Sequence, residues 1–164
     1  MSSAPVTSAP SNPPPLGVPV ALVTGAGRNI GREIALGLAQ AGHAVAVNVR
    51  ASLDEGQAVV DEIRAGGGQA LLCPADVADA EAVRAMVQSV AAHWGRLDVL
   101  VHNAAIRREG RLQDLSAREW HDTLGVVLDG AFFCAQAALP LLQASDRGAI
   151  ITVGGLTAHT GAAD

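Results

Sequence analysis

The sequence predicts a doubly wound α/β fold on a parallel sheet, and three observations carry that prediction. Short apolar runs of about four to eight residues alternate along the chain with stretches whose apolar residues recur at helical spacing. The runs are unbroken, as strands covered on both faces are, and do not alternate polar with apolar. The first run also passes directly into a glycine-bearing turn and then a helical pattern, which is the strand–turn–helix entry to a nucleotide site.

The first 17 residues, rich in Pro, Ser and Ala and free of Lys and Arg, predict a disordered tail, and 18–164 a single domain. Strand one is 20–23. In the turn 24–31, residues without side chains let the backbone reverse and a phosphate approach, while the unpaired first amides of the helix point at the anion. The apolar residues Ile30, Ile34 and Leu38 mark the helix face. Strand two is 44–49, so the unit from Val18 to Arg50 has the length of a βαβ crossover, about 30 residues.

A helix over 53–65, with Val59, Val60 and Ile63 inward, stops at Gly66, Gly67 and Gly68. Strand three, 69–73, leads to Asp76 and Val77, and Asp79 caps the next helix, in which Val83, Met86, Val87, Val90, Ala91 and Trp94 repeat at three- and four-residue steps. Strand four, 97–102, is followed by Asn103 and Ala104. Ser116 and Glu119 form a capping box that opens a long helix with Trp120, Leu124, Val127, Leu128, Ala131 and Ala135 on one side, ending near Pro140. Strand five is 149–153.

Composition excludes some partners. A net charge of −5, with no basic stripe and no Tyr, argues against nucleic acid. No stretch reads as a membrane span or a signal-peptide core. Cys73 and Cys134 fit no metal spacing and read as buried thiols of a reducing, cytoplasmic compartment.

The turn, Arg50, Asp76 and Asn103 each follow a strand, so they converge on one cleft at the carboxyl edge of the sheet. Four motifs appear in order: Thr24-Gly25 with Ile30-Gly31, Asp76-Val77, the run Gly95 to Val101 leading to Asn103-Ala104, and the helix ending Ala135 to Pro140. In these the chain resembles the short-chain dehydrogenase/reductase family, over roughly Val18 to Val153. The resemblance implies a Rossmann-type sheet binding NAD or NADP, with Thr24, Gly25, Arg28, Asn29, Ile30 and Gly31 at the phosphates. It also implies Asp76 and Val77 near adenine, and Asn103 and Ala104 along the adenine ribose. Asp76 as a plain turn cap and Asn103 as a plain structural residue are the alternatives.

Arg50 stands after strand two, where an NAD site has an acid, and Arg28 stands in the turn where NADP-using relatives often carry Arg, so the expected coenzyme is NADP. The nearest acid is Asp54. Surface charge is the alternative for both arginines. Asn29 replaces the middle glycine of the family's turn, and Asn tolerates positive φ better than most residues.

The implied chemistry is carbonyl reduction or alcohol oxidation on a small molecule, in which a Tyr moves the proton beside a Lys, with a Ser and an Asn assisting. The sequence contains neither Tyr nor Lys: its eleven basic residues are all Arg. Val127 stands at the family's Asn and Gly155 at its Ser, so no catalytic residue carries over. Thr157, His159 and Thr160 read as ordinary loop residues. Strand five, without a helix to follow it, predicts an apolar edge, and hence a fragment of a longer protein or a face covered by a partner. The expectation is the coenzyme-binding part of an NADP-dependent oxidoreductase, a homo-oligomer through the long helix 117–139. The alternative is a non-catalytic dinucleotide-binding protein. A P-loop protein is disfavoured because no Gly-Lys-Ser/Thr follows the turn.

Overall fold

The computed structural model describes residues 17–107 and 110–155. The predicted tail lies outside these residues, apart from Gly17, as do Thr157, His159 and Thr160. Five parallel strands, β1 (Val20–Val23), β2 (Ala44–Val49), β3 (Ala70–Pro74), β4 (Val99–His102) and β5 (Ala149–Thr152), form one sheet in the order β3-β2-β1-β4-β5. The order reverses between β1 and β4. The doubly wound reading of the sequence is therefore what the chain adopts.

Strand geometry sends successive side chains to opposite faces, and two cores result. Val20, Leu22, Ala44 and Ala46 face one helical layer, while Val23, Val45 and Val47 face the other. The first layer holds α3 (Ala80–Trp94) and α5 (Gly130–Ala144); the second holds α1 (Asn29–Gln40) and α2 (Leu53–Ala65). Fully burying each Val or Leu contributes about 1.5–3 kcal/mol, which is why the central strands are wholly apolar apart from a few polar residues that mark the site.

Helix ends follow their sequence signals. Asp79 caps α3 by accepting from the amides of Glu81 (2.9 Å) and Ala82 (3.1 Å), and Gly95 closes it in the left-handed region at φ 72°. The Ser116–Glu119 capping box opens α4 (Ala117–Leu124).

Three expectations are corrected. In α1 the buried residues are Gly31 and Ala35, while Ile30 is 62% exposed, because the helix enters pressed against the turn and only a residue without a side chain fits there. The long helix is interrupted: a π turn (Gly125–Asp129) separates α4 from α5. Its extra residue per turn rotates the following face. The stripe facing the sheet is Val126, Gly130, Cys134, Ala138 and Leu142, and not the set containing Trp120, Val127 and Leu128. Pro140 lies within α5, which continues to Ala144. This helical stretch, Ala117–Ala144, is also long and apolar enough in composition to cross a membrane, which the sequence reading had not expected. Its inward stripe nevertheless belongs to the core beneath β1 and β4.

Strand boundaries shift by one or two residues, with β4 starting at Val99, β3 running to Pro74 and β5 ending at Thr152. Among the described residues β5 is an outer strand of the sheet, with exposed apolar side chains, Ile151 at 50%.

Candidate coenzyme site

The site is built at the carboxyl ends of β1, β2, β3 and β4, where the strand order reverses. Its centre is Thr24, fully buried at the end of β1. The Thr24 hydroxyl oxygen accepts the backbone amides of Asn103 and Ala104, both at 3.0 Å, and the Thr24 amide donates to the Val101 carbonyl at 3.0 Å. In return the Asn103 side-chain amide donates to the carbonyls of Thr24 and Gly25, each at 3.1 Å. The turn after β1 and the loop after β4 are thus stitched together from both sides.

Close approach explains the glycines. A Cβ on Gly31 would fall 2.2 Å from the Gly25 carbonyl oxygen and 2.5 Å from the Asn103 amide nitrogen. Gly25, at φ 63°, would bring a Cβ to 3.0 Å from the Ala104 backbone. Asn29 takes φ 49°, the left-handed conformation its residue type tolerates. Arg28 precedes the helix in extended conformation with no side-chain cap, and the first turn of α1 holds no acid. The amide end of α1 is therefore left for an anion, where its dipole is favourable.

Two residues that sequence reasoning passed over hold this turn. Asn48, buried within β2, accepts the Gly25 amide at 3.2 Å and donates to the carbonyls of Cys73 (3.0 Å) and Ala75 (3.1 Å). It joins the ends of β1, β2 and β3. The signal was a lone polar residue in an apolar strand, since burying an amide requires partners for it. His102, buried at the end of β4, lies 3.4 Å from the Thr24 hydroxyl through Nδ1, with its other side toward the π turn. Burial pushes its pKa down, opposed by the nearby Val126 and Val127 carbonyls.

At the rim stand four charged groups. Arg28 lies 3.9 Å from Glu55, and Arg50 lies 3.9 Å from Asp76, all on partly exposed side chains. The other Asp76 oxygen accepts the Ala78 amide at 3.0 Å, so Asp76 serves as a turn cap while facing Arg50. Val77 is buried, its side chain against Gly130 of α5. Ile30 stands exposed beside the turn. Contacts join Thr24, Gly25 and Gly31 to Asn103 and Ala104, and Arg50 to Asp76, while Val77 gives its side chain to the core. The two thiols do not join them. Burial raises Cys73 to about 11, with Ser89 opposing, and Cys134 to about 12, which makes both inert. Among the described residues no group of His, Cys, Asp and Glu is arranged to hold a metal.

The fold is a doubly wound parallel α/β sheet with a glycine-bearing turn at its switch point, and residues 19–164 match the family model for short chain dehydrogenases. The chain belongs to that family. It is 45% identical over 141 residues to the 3-oxoacyl-(acyl-carrier-protein) reductase FabG of Staphylococcus aureus, a match covering 86% of this chain and 57% of that one. It is 40% identical over 134 residues to the corresponding reductase of Synechocystis, covering 82% and 54%. A short chain dehydrogenase from Burkholderia cenocepacia, solved in complex with NADP, superposes with a TM-score of 0.83 at 40% identity, covering 87% of this chain and 58% of that one. A metagenomic short-chain oxidoreductase, also solved with NADP, gives 0.79 at 36% identity, covering 84% and 62%. The chain thus spans a little over half the length of the curated relatives it matches.

Proposed function

We propose that this chain is the coenzyme-binding part of an NADP-dependent oxidoreductase that reduces a carbonyl or oxidises an alcohol on a small molecule. The observation that carries the reading is the pinned turn: Thr24 and Asn103 fix it, and Gly25 and Gly31 clear its surface for a pyrophosphate. The α1 amides take the pyrophosphate charge, Asp76 and Val77 lie toward adenine, Asn103 and Ala104 line the ribose, and Arg28 and Arg50 take a 2′-phosphate. The bound coenzyme supplies the hydride. NAD is the weaker ligand on this reading. The two relatives solved with NADP support it, as do two guanidinium groups at the mouth.

The residues present do not complete a proton-transfer set. Val127 sits in the π turn and Gly155 follows β5, where the family's Asn and Ser would stand, and the sequence holds no Tyr or Lys. A second reading, a dinucleotide-binding protein without catalysis, rests on those two internal positions alone, and the similarity to reductases and oxidoreductases supports the first. Titrating NADPH while following oxidation of the nicotinamide with a panel of carbonyls separates the two. Saturable binding with turnover supports the first reading, saturable binding alone the second, and no binding contradicts both.

The same reading extends to the protein's setting. Residues 18–164 act as one domain, behind a tail at 1–17, in the cytoplasm and without nucleic acid or membrane partners. The exposed apolar residues Trp120, Leu128 and Phe132 support a homo-oligomer formed through helix 117–139. Leu128→Asp should then shift the species seen by analytical ultracentrifugation toward monomer.

A further inference from the structure

A threonine hydroxyl has one proton and two lone pairs, and at Thr24 both lone pairs are taken: the amides of Asn103 and Ala104 each donate to it at 3.0 Å. Its own proton has two acceptors in reach, His102 Nδ1 at 3.4 Å and the Val101 carbonyl at 3.5 Å. That carbonyl already accepts the Thr24 amide at 3.0 Å. A hydrogen on Nδ1 would point at an oxygen with no lone pair left, so the bare Nδ1 is the partner this arrangement calls for. The ring hydrogen then belongs on Nε2, which is buried without a hydrogen bond among the described residues.

We infer that His102 is a positioning residue that orients the Thr24 hydroxyl, and that a second proton on its ring loosens the Asn103 loop and so weakens coenzyme binding. The inference rests on the dinucleotide reading above. The imidazolium carries N–H groups on both nitrogens and accepts nothing. Either the Asn103 or the Ala104 amide must then release the hydroxyl, or the ring must turn away and leave the hydroxyl unoriented. Both outcomes slacken Asn103, whose side chain holds the Thr24 and Gly25 carbonyls at 3.1 Å and lies where a Cβ on Gly31 would fall. Around the ring stand Thr24 of β1, Thr152 opposite it in β5 and the Val126 and Val127 carbonyls of the π turn. Among the described residues no charged side chain acts on it. Proton and coenzyme therefore oppose each other, each lowering the affinity for the other by the same factor.

The test has two arms. Nitrogen NMR of the His102 imidazole in the wild type should show Nδ1 bare and Nε2 protonated near neutral pH, give the midpoint of its titration, and move that midpoint to lower pH when NADP is added. Calorimetric titration of NADP is then run about one pH unit above and below that midpoint, on the wild type, His102→Asn and His102→Leu. Wild-type affinity should fall by about three- to tenfold across the window, the worth of one hydrogen bond, beyond any change seen in His102→Asn. The 2′-phosphate of NADP itself titrates near pH 6, and the comparison cancels it. The Asn side chain offers an acceptor that takes no proton, so His102→Asn should bind more tightly than His102→Leu at every pH. Parallel profiles for the wild type and His102→Asn, or a hydrogen on Nδ1 in the wild type, overturn the role of His102 while leaving the dinucleotide site standing. A wild type that binds no coenzyme above the midpoint removes the site and the inference together.

Discussion

Thr24 and Asn103, far apart in the chain, each satisfy the other's backbone: the Thr24 hydroxyl accepts the Asn103 amide at 3.0 Å, and the Asn103 side chain donates to the Thr24 carbonyl at 3.1 Å. The hydroxyl also holds the Ala104 amide at 3.0 Å. Replacing it by a methyl strands two donors at once. Each orphaned buried group costs about 1–3 kcal/mol, so Thr24→Val should lose about 3 kcal/mol of stability by urea denaturation, and Thr24→Ser less than about 1 kcal/mol.

Gly31→Ala introduces a Cβ where the Gly25 carbonyl and the Asn103 amide already sit. Both are anchored, so the turn itself must move. Overpacking of this kind costs about 1–3 kcal/mol, and the displaced turn should no longer bind coenzyme in a titration that still shows a folded circular dichroism spectrum. Gly37→Ala, where a Cβ would meet nothing within 4 Å, is the control and should stabilise α1 by up to about 1 kcal/mol.

His102 supplies a pH dependence. Its folded value lies below that of the unfolded chain, about 6.5, because burial disfavours the cation. As pH falls through about 6.5 the unfolded chain takes up a proton that the folded chain refuses, so stability drops from there until the lower folded value is reached. Unfolding measured against pH should slope downward in that window, and His102→Asn should flatten the slope.

Asp98 supplies a second, more acidic one. Its side chain is fully buried and accepts the Val20 amide at 2.7 Å, Arg96 at 2.6 and 2.9 Å, and the Ser145 hydroxyl at 2.5 Å, so it ties β1, the approach to β4 and the end of α5. Burial pushes its carboxyl up, but Arg96, Ser145 and the Val20 amide outweigh burial and hold it below the ordinary range. The stability it contributes is present above the unfolded value, about 3.9, and is lost as pH falls from there through the folded value. Asp98→Asn breaks a buried charge pair and should cost about 3 kcal/mol at neutral pH, seen as a lowered denaturation midpoint.

Much of this was legible in the chain because strands buried on both faces announce themselves as unbroken apolar runs, and Val20–Val23 and Ala44–Val49 are found where those runs lie. The caps at Asp79 and Ser116 were legible for the same reason: their chemistry is local. What sequence missed was set by contacts distant in the chain. Ile30 fits a helical face, but the turn claims the inward position for Gly31. The π turn at Gly125–Asp129 shifts the inward stripe from Trp120 and Leu128 to Val126 and Cys134, and no composition signal distinguishes the two registers. Asn48 gained its role only when β2 was laid against the turn.

The central claim is that this turn and its two arginines hold a phosphorylated dinucleotide, and thermal unfolding with each coenzyme tests it most directly. NADPH should raise the midpoint more than NADH at equal concentration, since ligand binding to the folded state stabilises by mass action. Arg50→Asp should reverse that order by replacing a phosphate partner with a hydroxyl acceptor. Equal shifts with both coenzymes in the wild type, or no shift with either, would contradict the account.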